Sequence, residues 1–170
     1  MNVDYYAHEV FIAAVERLAN IGFPKFANEP NASEDDRKRE LCAFLGNVAQ
    51  KTGSGLMGLY HREEVEYERA GPNANAVING VDDRTQYRVG ESEVMFGPGT
   101  QNKGKVRFTS TPYHGRGPLE LSWGYNYGDF SEAIFNDPQV LLDEPDKLLD
   151  DPVLGMSSAI WYRMTQPSWQ

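Results

Sequence analysis

Residues Tyr113–Gly128 read YHGRGPLELSWGYNYG, and the rest of the chain is arranged around them. Gly115, Gly117 and Pro118 surround Arg116, with His114 just before. Glycine reaches backbone angles closed to other residues and proline fixes one of them, so GRGP is a shaped loop and not a flexible one. Leu119, Glu120, Leu121 and Ser122 follow, and polar and aromatic groups then alternate through Trp123, Tyr125, Asn126 and Tyr127. Two readings fit. One is a tight turn feeding a tyrosine-rich core segment. The other is a cleft wall, in which a rigid loop carries a hydroxyl (Ser122), a carboxyl (Glu120), an amide (Asn126) and aromatic faces for sugars or bases.

Composition narrows the setting. A chain of 170 residues fits a single domain, 1–170, large enough to bury a core. The formal net charge of −9 argues against nucleic acid or an anionic membrane as partner and favours a neutral or cationic ligand. No apolar run approaches the ~18 residues of a membrane span. Met1–Tyr6 lacks a basic end, and the apolar run Phe11–Val15 is flanked by Glu9 and Glu16, so the start does not read as a signal peptide; the compartment stays open. Cys42 is the only cysteine, which excludes an internal disulfide. His8, His61 and His114 show no metal-site spacing, and a surface or hydrogen-bonding role is expected for each; no cofactor is implied.

Helical periodicity marks the first half. In Asp4–Asn20, Phe11, Ala14, Val15 and Leu18 fall at i, i+3, i+4 and i+7, and Gly22 and Pro24 stop the helix. Ser33 followed by Asp36 predicts an N-cap with an acid three places on, and Glu34 and Asp35 suit the positive end of the dipole. Leu41, Phe44, Leu45, Val48 and Ala49 then form a core stripe, with Cys42 expected as a small buried apolar group beside it. Thr52-Gly53-Ser54-Gly55 ends that helix. Lys51 continues the row of Phe44 and Val48, so it projects from the helix end towards the rest of the domain.

The segment 113–128 resembles the signature of glycoside hydrolase family 19, the plant-type chitinases, usually worded YYGRGPIQLSWNYNYG. Family members also carry FYTYNAFIAA near the start, against YYAHEVFIAA here, and a run ending MWFWMT, against the helical LGMSSAIWYRMT. The resemblance implies a mainly α-helical, lysozyme-like α+β fold with short strands and long loops. It implies that Ser122 holds the attacking water, and that Tyr113, Tyr125 and Asn126 contact substrate. Glu120 stands where the family usually has glutamine. The resemblance covers nearly all of this chain but about two thirds of a full family domain, so a second cleft wall is expected to be missing.

One position departs from the pattern in a way that bears on chemistry. The family wording FLAQTSHETTGG, whose glutamate is the general acid, corresponds to FLGNVAQKTGSG, and Lys51 takes the place of that glutamate. Inverting cleavage of a glycosidic bond needs one carboxylic acid and one carboxylate, roughly 6.5–9.5 Å apart. A lysine ammonium, with a reference pKa of about 10.4, is a far weaker acid than a carboxyl. The resemblance places the general base in Gly58–Arg69, where Glu63, Glu64, Glu66 and Glu68 crowd together. Glu68 is the first choice and Glu64 the second, while a solvated face is the plain alternative for any of them. Lys51 is expected to pair with one of these carboxylates.

Residues 71–112 are glycine- and asparagine-rich and least family-like. Asn79-Gly80 and Gly97-Pro98-Gly99 read as turns, and Gln86–Val89 and Lys105–Thr109 as strand pieces. This segment, or the C-terminal side, is a place for a protein partner. Ser131–Asn136 continues as helix until Asp137-Pro138 breaks it, and Asp143-Glu144-Pro145 starts another turn. The leading expectation is a chitinase-like protein with impaired or absent catalysis that binds chitin-like oligosaccharides or serves structurally. The alternatives are an active endo-chitinase with a substitute acid, and a scaffold subunit of a protein assembly.

Overall fold

The computed structural model describes residues 4–23, 26–53, 59–63 and 113–165, together with the backbone of 91–94 and 104–107. Helix α1 spans His8–Asn20 and α2 spans Glu34–Lys51. Strands β1 (Glu91–Val94) and β2 (Gly104–Arg107) pair antiparallel, with Glu91 opposite Arg107 and Val94 opposite Gly104. Four helices follow: α3 (Gly124–Phe135), α4 (Gln139–Asp143), α5 (Lys147–Asp150) and α6 (Pro152–Thr165). The architecture is mainly helical, and no described helix is long and apolar enough to cross a membrane.

Helix α6 is the centre. Every residue from Leu154 to Trp161 is buried, and a helix buried all round must lie inside the domain. Asp151 starts it: its Oδ1 accepts from the amides of Val153 (2.9 Å) and Leu154 (3.1 Å), while Oδ2 meets Arg17 of α1 at 3.2 Å. Phe130 of α3 packs on Trp161 with ring centroids 5.3 Å apart. Helix α1 lies against α6 through Val10, Ala14 and Leu18, a stripe centred one residue earlier than the sequence pattern suggests, with Phe11 and Val15 half-buried at its border. Residues 4–7 form a turn where helix was expected. The Asp4 carboxylate accepts from the Tyr6 amide (3.2 Å) and the Asp4 carbonyl from Ala7 (3.0 Å), a local bonding that competes with helix.

The start of α2 is as the sequence reads. The Ser33 hydroxyl accepts from the Asp36 amide at 3.1 Å, and the Asp36 carboxylate accepts from the Ser33 amide at 3.1 Å, a reciprocal capping box. Its core face is narrower than expected, because only Phe44 and Val48 are buried. Cys42 is exposed and not a buried apolar group, since it stands two residues, about 200° of helical rotation, from Phe44. Leu45, one residue past Phe44, is likewise turned outward. The strand piece Lys105–Thr109 overlaps β2. Gln86–Val89 and both turns expected in 71–112 lie outside the described residues.

Gly155 is the tightest contact in this packing. A methyl group there would stand 1.7 Å from the Tyr5 hydroxyl oxygen and 2.5 Å from the Leu148 carbonyl oxygen, the two atoms that hydrogen-bond to each other. Overpacking at such a site costs about 1–3 kcal/mol. Gly155→Ala is therefore expected to lower the melting temperature by several degrees in a thermal scan, and an unchanged midpoint would mean that Tyr5 and Leu148 approach α6 less closely than described.

Candidate functional site

The loop 113–121 is built on a buried arginine. The Arg116 side chain is 2% exposed, and its Nε and Nη2 reach Asp146 Oδ1 at 2.9 and 2.8 Å. Its Nη1 donates inward to the Tyr127 hydroxyl (3.0 Å), which in turn donates to the His114 carbonyl (2.7 Å). Burial raises the Tyr127 phenol well above its ordinary range despite the nearby guanidinium, so it stays a neutral donor. Along the backbone, Arg116 and Leu121 exchange both amide hydrogen bonds (3.1 and 2.8 Å), which closes the turn. Gly115 allows the fold-back, because a Cβ there would lie 2.7 Å from that of Glu120. Glu120 itself takes the left-handed conformation, φ 52°.

Two ties bring the other walls to this loop. Thr52, at the end of α2, donates its hydroxyl to the Val48 carbonyl (2.7 Å) and accepts there from the Leu59 amide (2.7 Å). Its own carbonyl accepts from Tyr60 and His61 (3.1 and 3.0 Å), so residues 59–61 are fastened to the helix end. The segment then meets the signature directly: the Gly117 amide donates to the Arg62 carbonyl at 2.8 Å, and His114 Nε2 lies 3.0 Å from Glu63 Oε2. The Tyr6 hydroxyl donates to the His61 carbonyl from the α1 side.

Between α2, the signature and α6 lies a cavity of about 260 Å³. Lys51 and Glu120 face each other across it, Nζ to Oε2 3.1 Å, with side chains 55% and 19% exposed. Ser122 lies beside them, and Leu119 and Tyr162 supply apolar surface with the buried Phe44 behind. Asn47 and Arg163 complete a lining in which polar and charged groups outnumber the apolar faces, a mixture that can meet both the hydroxyls and the apolar face of a sugar ring.

Of the residues singled out from sequence, Lys51, Glu120 and Ser122 come together here. Others stand elsewhere. Tyr113 is fully buried, its hydroxyl donating to the Leu142 carbonyl (2.7 Å) and its ring 5.4 Å from that of Tyr127, so it is a core residue and not a cleft aromatic. Asn126 is also buried, and its amide donates to the Ser122 carbonyl at 2.8 Å, holding that turn from behind without lining the cavity. Tyr125 is half-buried on α3 and does not line it either. Glu64, Glu66 and Glu68 lie outside the described residues. Among the described residues Lys51 pairs with Glu120, while Glu63 meets His114, which is buried and takes the hydrogen-bonding role expected of it; pairing of Lys51 with Glu64, Glu66 or Glu68 lies outside the described residues. The network Glu63–His114–Tyr127–Arg116–Asp146 is absent from the sequence reading. The available signal was a charged residue inside a glycine–proline loop, which only a buried partner explains.

Comparison with known proteins identifies the family and the fold. The sequence profile of glycoside hydrolase family 19, described as chitinase class I, matches residues 1–170. Endochitinase A2 of Pisum sativum is 31% identical over 168 residues, 96% of this chain and 42% of that protein. An endochitinase of Carica papaya is 32% identical over 165 residues, 95% of this chain and 55% of its own length. The chain thus spans about half the length of the curated relatives it matches. Among solved structures, a bacterial family 19 chitinase superposes with a TM-score of 0.64 at 25% identity, over 95% of this chain and 61% of the other. Chitinase C from Streptomyces griseus HUT6037 gives 0.63 at 25%, over 95% and 49%. The lysozyme-like helical fold expected from the sequence is therefore the observed one.

Burial is the main influence on the His114 imidazole and, with the Arg116 charge, holds its pKa below the ordinary 6.5; the Glu63 and Asp146 carboxylates oppose this. The folded protein then keeps His114 neutral where the unfolded chain already binds a proton. Stability linked to this group is present above 6.5 and is lost as the pH falls below it, towards the depressed value. Melting temperature is expected to decline on mild acidification through that window, and His114→Gln to flatten the slope. Asp36, whose carboxyl is lowered by its hydrogen bonds to Ser33, acts only below its ordinary 3.8. Identical slopes for both proteins would remove His114 from the account.

Proposed function

Because the chain belongs to the class I chitinases of glycoside hydrolase family 19, we propose that it binds chitin-type N-acetylglucosamine chains and cleaves them weakly or not at all. The observation that carries this reading is the Lys51–Glu120 ion pair, 3.1 Å long, inside the cavity beside Ser122. Hydrolysis with inversion needs a carboxylic acid that gives its proton to the departing oxygen and a carboxylate that activates water from the opposite face. The likeness of FLGNVAQKTGSG to the family wording supports reading position 51 as that of the acid. An ammonium there is a poor proton donor, and its charge is neutralised by the carboxylate opposite. The remaining roles keep their candidates: Ser122 to position water, and Glu68, with Glu64 second, as base. Leu119 and the Tyr162 ring offer the apolar surface on which a sugar face packs.

Restoring the carboxyl takes two changes. With Lys51→Glu alone, two carboxyls would face each other at the distance of the present pair and share a proton. Lys51→Glu with Glu120→Gln sets a carboxyl against an amide, as in the family wording. The pair of substitutions is expected to raise the release of reducing ends from chitin oligosaccharides by at least about 100-fold, the lower range for a general acid. The unaltered protein should shift its tryptophan fluorescence with those oligosaccharides while releasing little product. Turnover by the unaltered protein at the ordinary enzymatic scale of about 1–1000 per second would overturn the reading.

A further inference from the structure

We infer that the ligand of this cavity carries free amines: a partly deacetylated chitin chain, one of whose glucosamine ammonium groups replaces Lys51 on the Glu120 carboxylate. The inference rests on the glycan-binding reading above and names the class of glycan.

The two members of the ion pair differ in how they are held. Glu120 belongs to a rigid turn: its amide donates to the Gly117 carbonyl (3.0 Å), its φ is 52°, and its Cβ rests on Gly115. Its side chain is 19% exposed, so the carboxylate is fixed and largely shielded. Lys51 reaches it from the last residue of α2 on a flexible four-carbon stem that is 55% exposed. Ion pairs with one exposed, mobile partner contribute little, so this one exchanges readily for another cation. Glu120 is the fixed receptor; Lys51 is the replaceable occupant.

The shape and charge of the surroundings define the replacement. The cavity of about 260 Å³ is small, of a size for a single sugar ring, with Leu119 and Tyr162 for its faces and Ser122 and Asn47 for hydroxyls. Arg163 also lines it, so a ligand ammonium is favoured only where it takes the place of Lys51 on Glu120 and adds no further positive charge. A ring seated there meets a carboxylate at the point where Lys51 Nζ now lies. An acetamido group is neutral and gains no charge-assisted hydrogen bond from that carboxylate, whereas an ammonium does. The formal charge of −9 on the whole chain also draws cationic polymers towards the protein, an attraction that salt weakens. Lys51 thus acts as a tethered competitor that keeps the carboxylate paired until an amine-bearing chain arrives.

The test compares glucosamine oligomers with fully N-acetylated oligomers of equal length, by calorimetry at mildly acidic pH, where the sugar amine is protonated. The expected result is tighter binding of the amine-bearing chain by about three- to tenfold, shrinking as salt is added. Lys51→Met should widen the preference by removing the competitor. Glu120→Gln should erase the preference, with a circular-dichroism spectrum and melting curve matching the unaltered protein to show that the fold persists. Equal affinities for the two oligomers in the unaltered protein and in Lys51→Met would overturn this inference and leave the glycan-binding reading standing. If neither oligomer binds, both fall.

Discussion

The Arg116 guanidinium is the fixed point from which the cleft is built. It leaves the signature loop, passes under the backbone and meets Asp146 on one side and the Tyr127 hydroxyl on the other. The two contacts differ in kind. Asp146 is 66% exposed, so solvent screens the ion pair and the Coulomb term is modest. The inward contacts to Tyr127 and the His114 carbonyl lie in the buried core, where a polar group without a partner is costly. Arg116 therefore matters chiefly as a donor that satisfies buried oxygens, and only secondarily as a charge. With the guanidinium held, Gly117 can bind the Arg62 carbonyl, Glu63 can meet His114, and the segment leading to the candidate base is pinned against the signature.

What the sequence revealed follows the range of the interactions involved. The α2 cap was readable because Ser33 and Asp36 are three residues apart and bond only to each other. Helix α1 was readable by period, yet its first turn was not, because Asp4 spends its oxygens on local amides. The start of α3 at Gly124 carries no capping side chain, since Trp123 precedes it, so the usual mark of a helix start is missing. Within the site, Lys51 could be found from a substitution in a familiar pattern. Its partner could not. Whether a lysine at the end of α2 meets residue 63 or residue 120 depends on how Thr52 folds 59–61 back onto the helix, a contact no local periodicity records.

Tyr113 and Asn126 teach a related lesson about motifs. Both belong to a signature whose resemblance points to a sugar-binding cleft, and both turn out to be structural supports of it. Tyr113 anchors the loop to α4 through the Leu142 carbonyl, and Asn126 fixes the Ser122 turn through its carbonyl. A long shared pattern therefore mixes residues that face the ligand with residues that hold those residues still. Sequence alone does not separate the two sets, because a rigid wall requires both.

In the proposed reading, Lys51 and Glu120 are best understood together. Family wording places glutamate and glutamine at these positions, an acid facing an amide. A lysine at 51 opposite an amide would lack the carboxylate that it now meets, beside the further positive charge of Arg163 in the lining. A glutamate at 120 opposite another glutamate would set two carboxyls against each other. Each substitution alone raises an electrostatic problem that the other removes, and the observed distance of 3.1 Å is that of a formed pair. A cleft decaying for lack of use would accumulate changes without regard to one another. Here the hydroxyl of Ser122, the apolar faces and the Arg116 scaffold are all in place around a matched pair of opposite charges. In the proposed reading the pair holds a charge receptor where the family wording has a proton donor, an arrangement that suits binding better than cleavage.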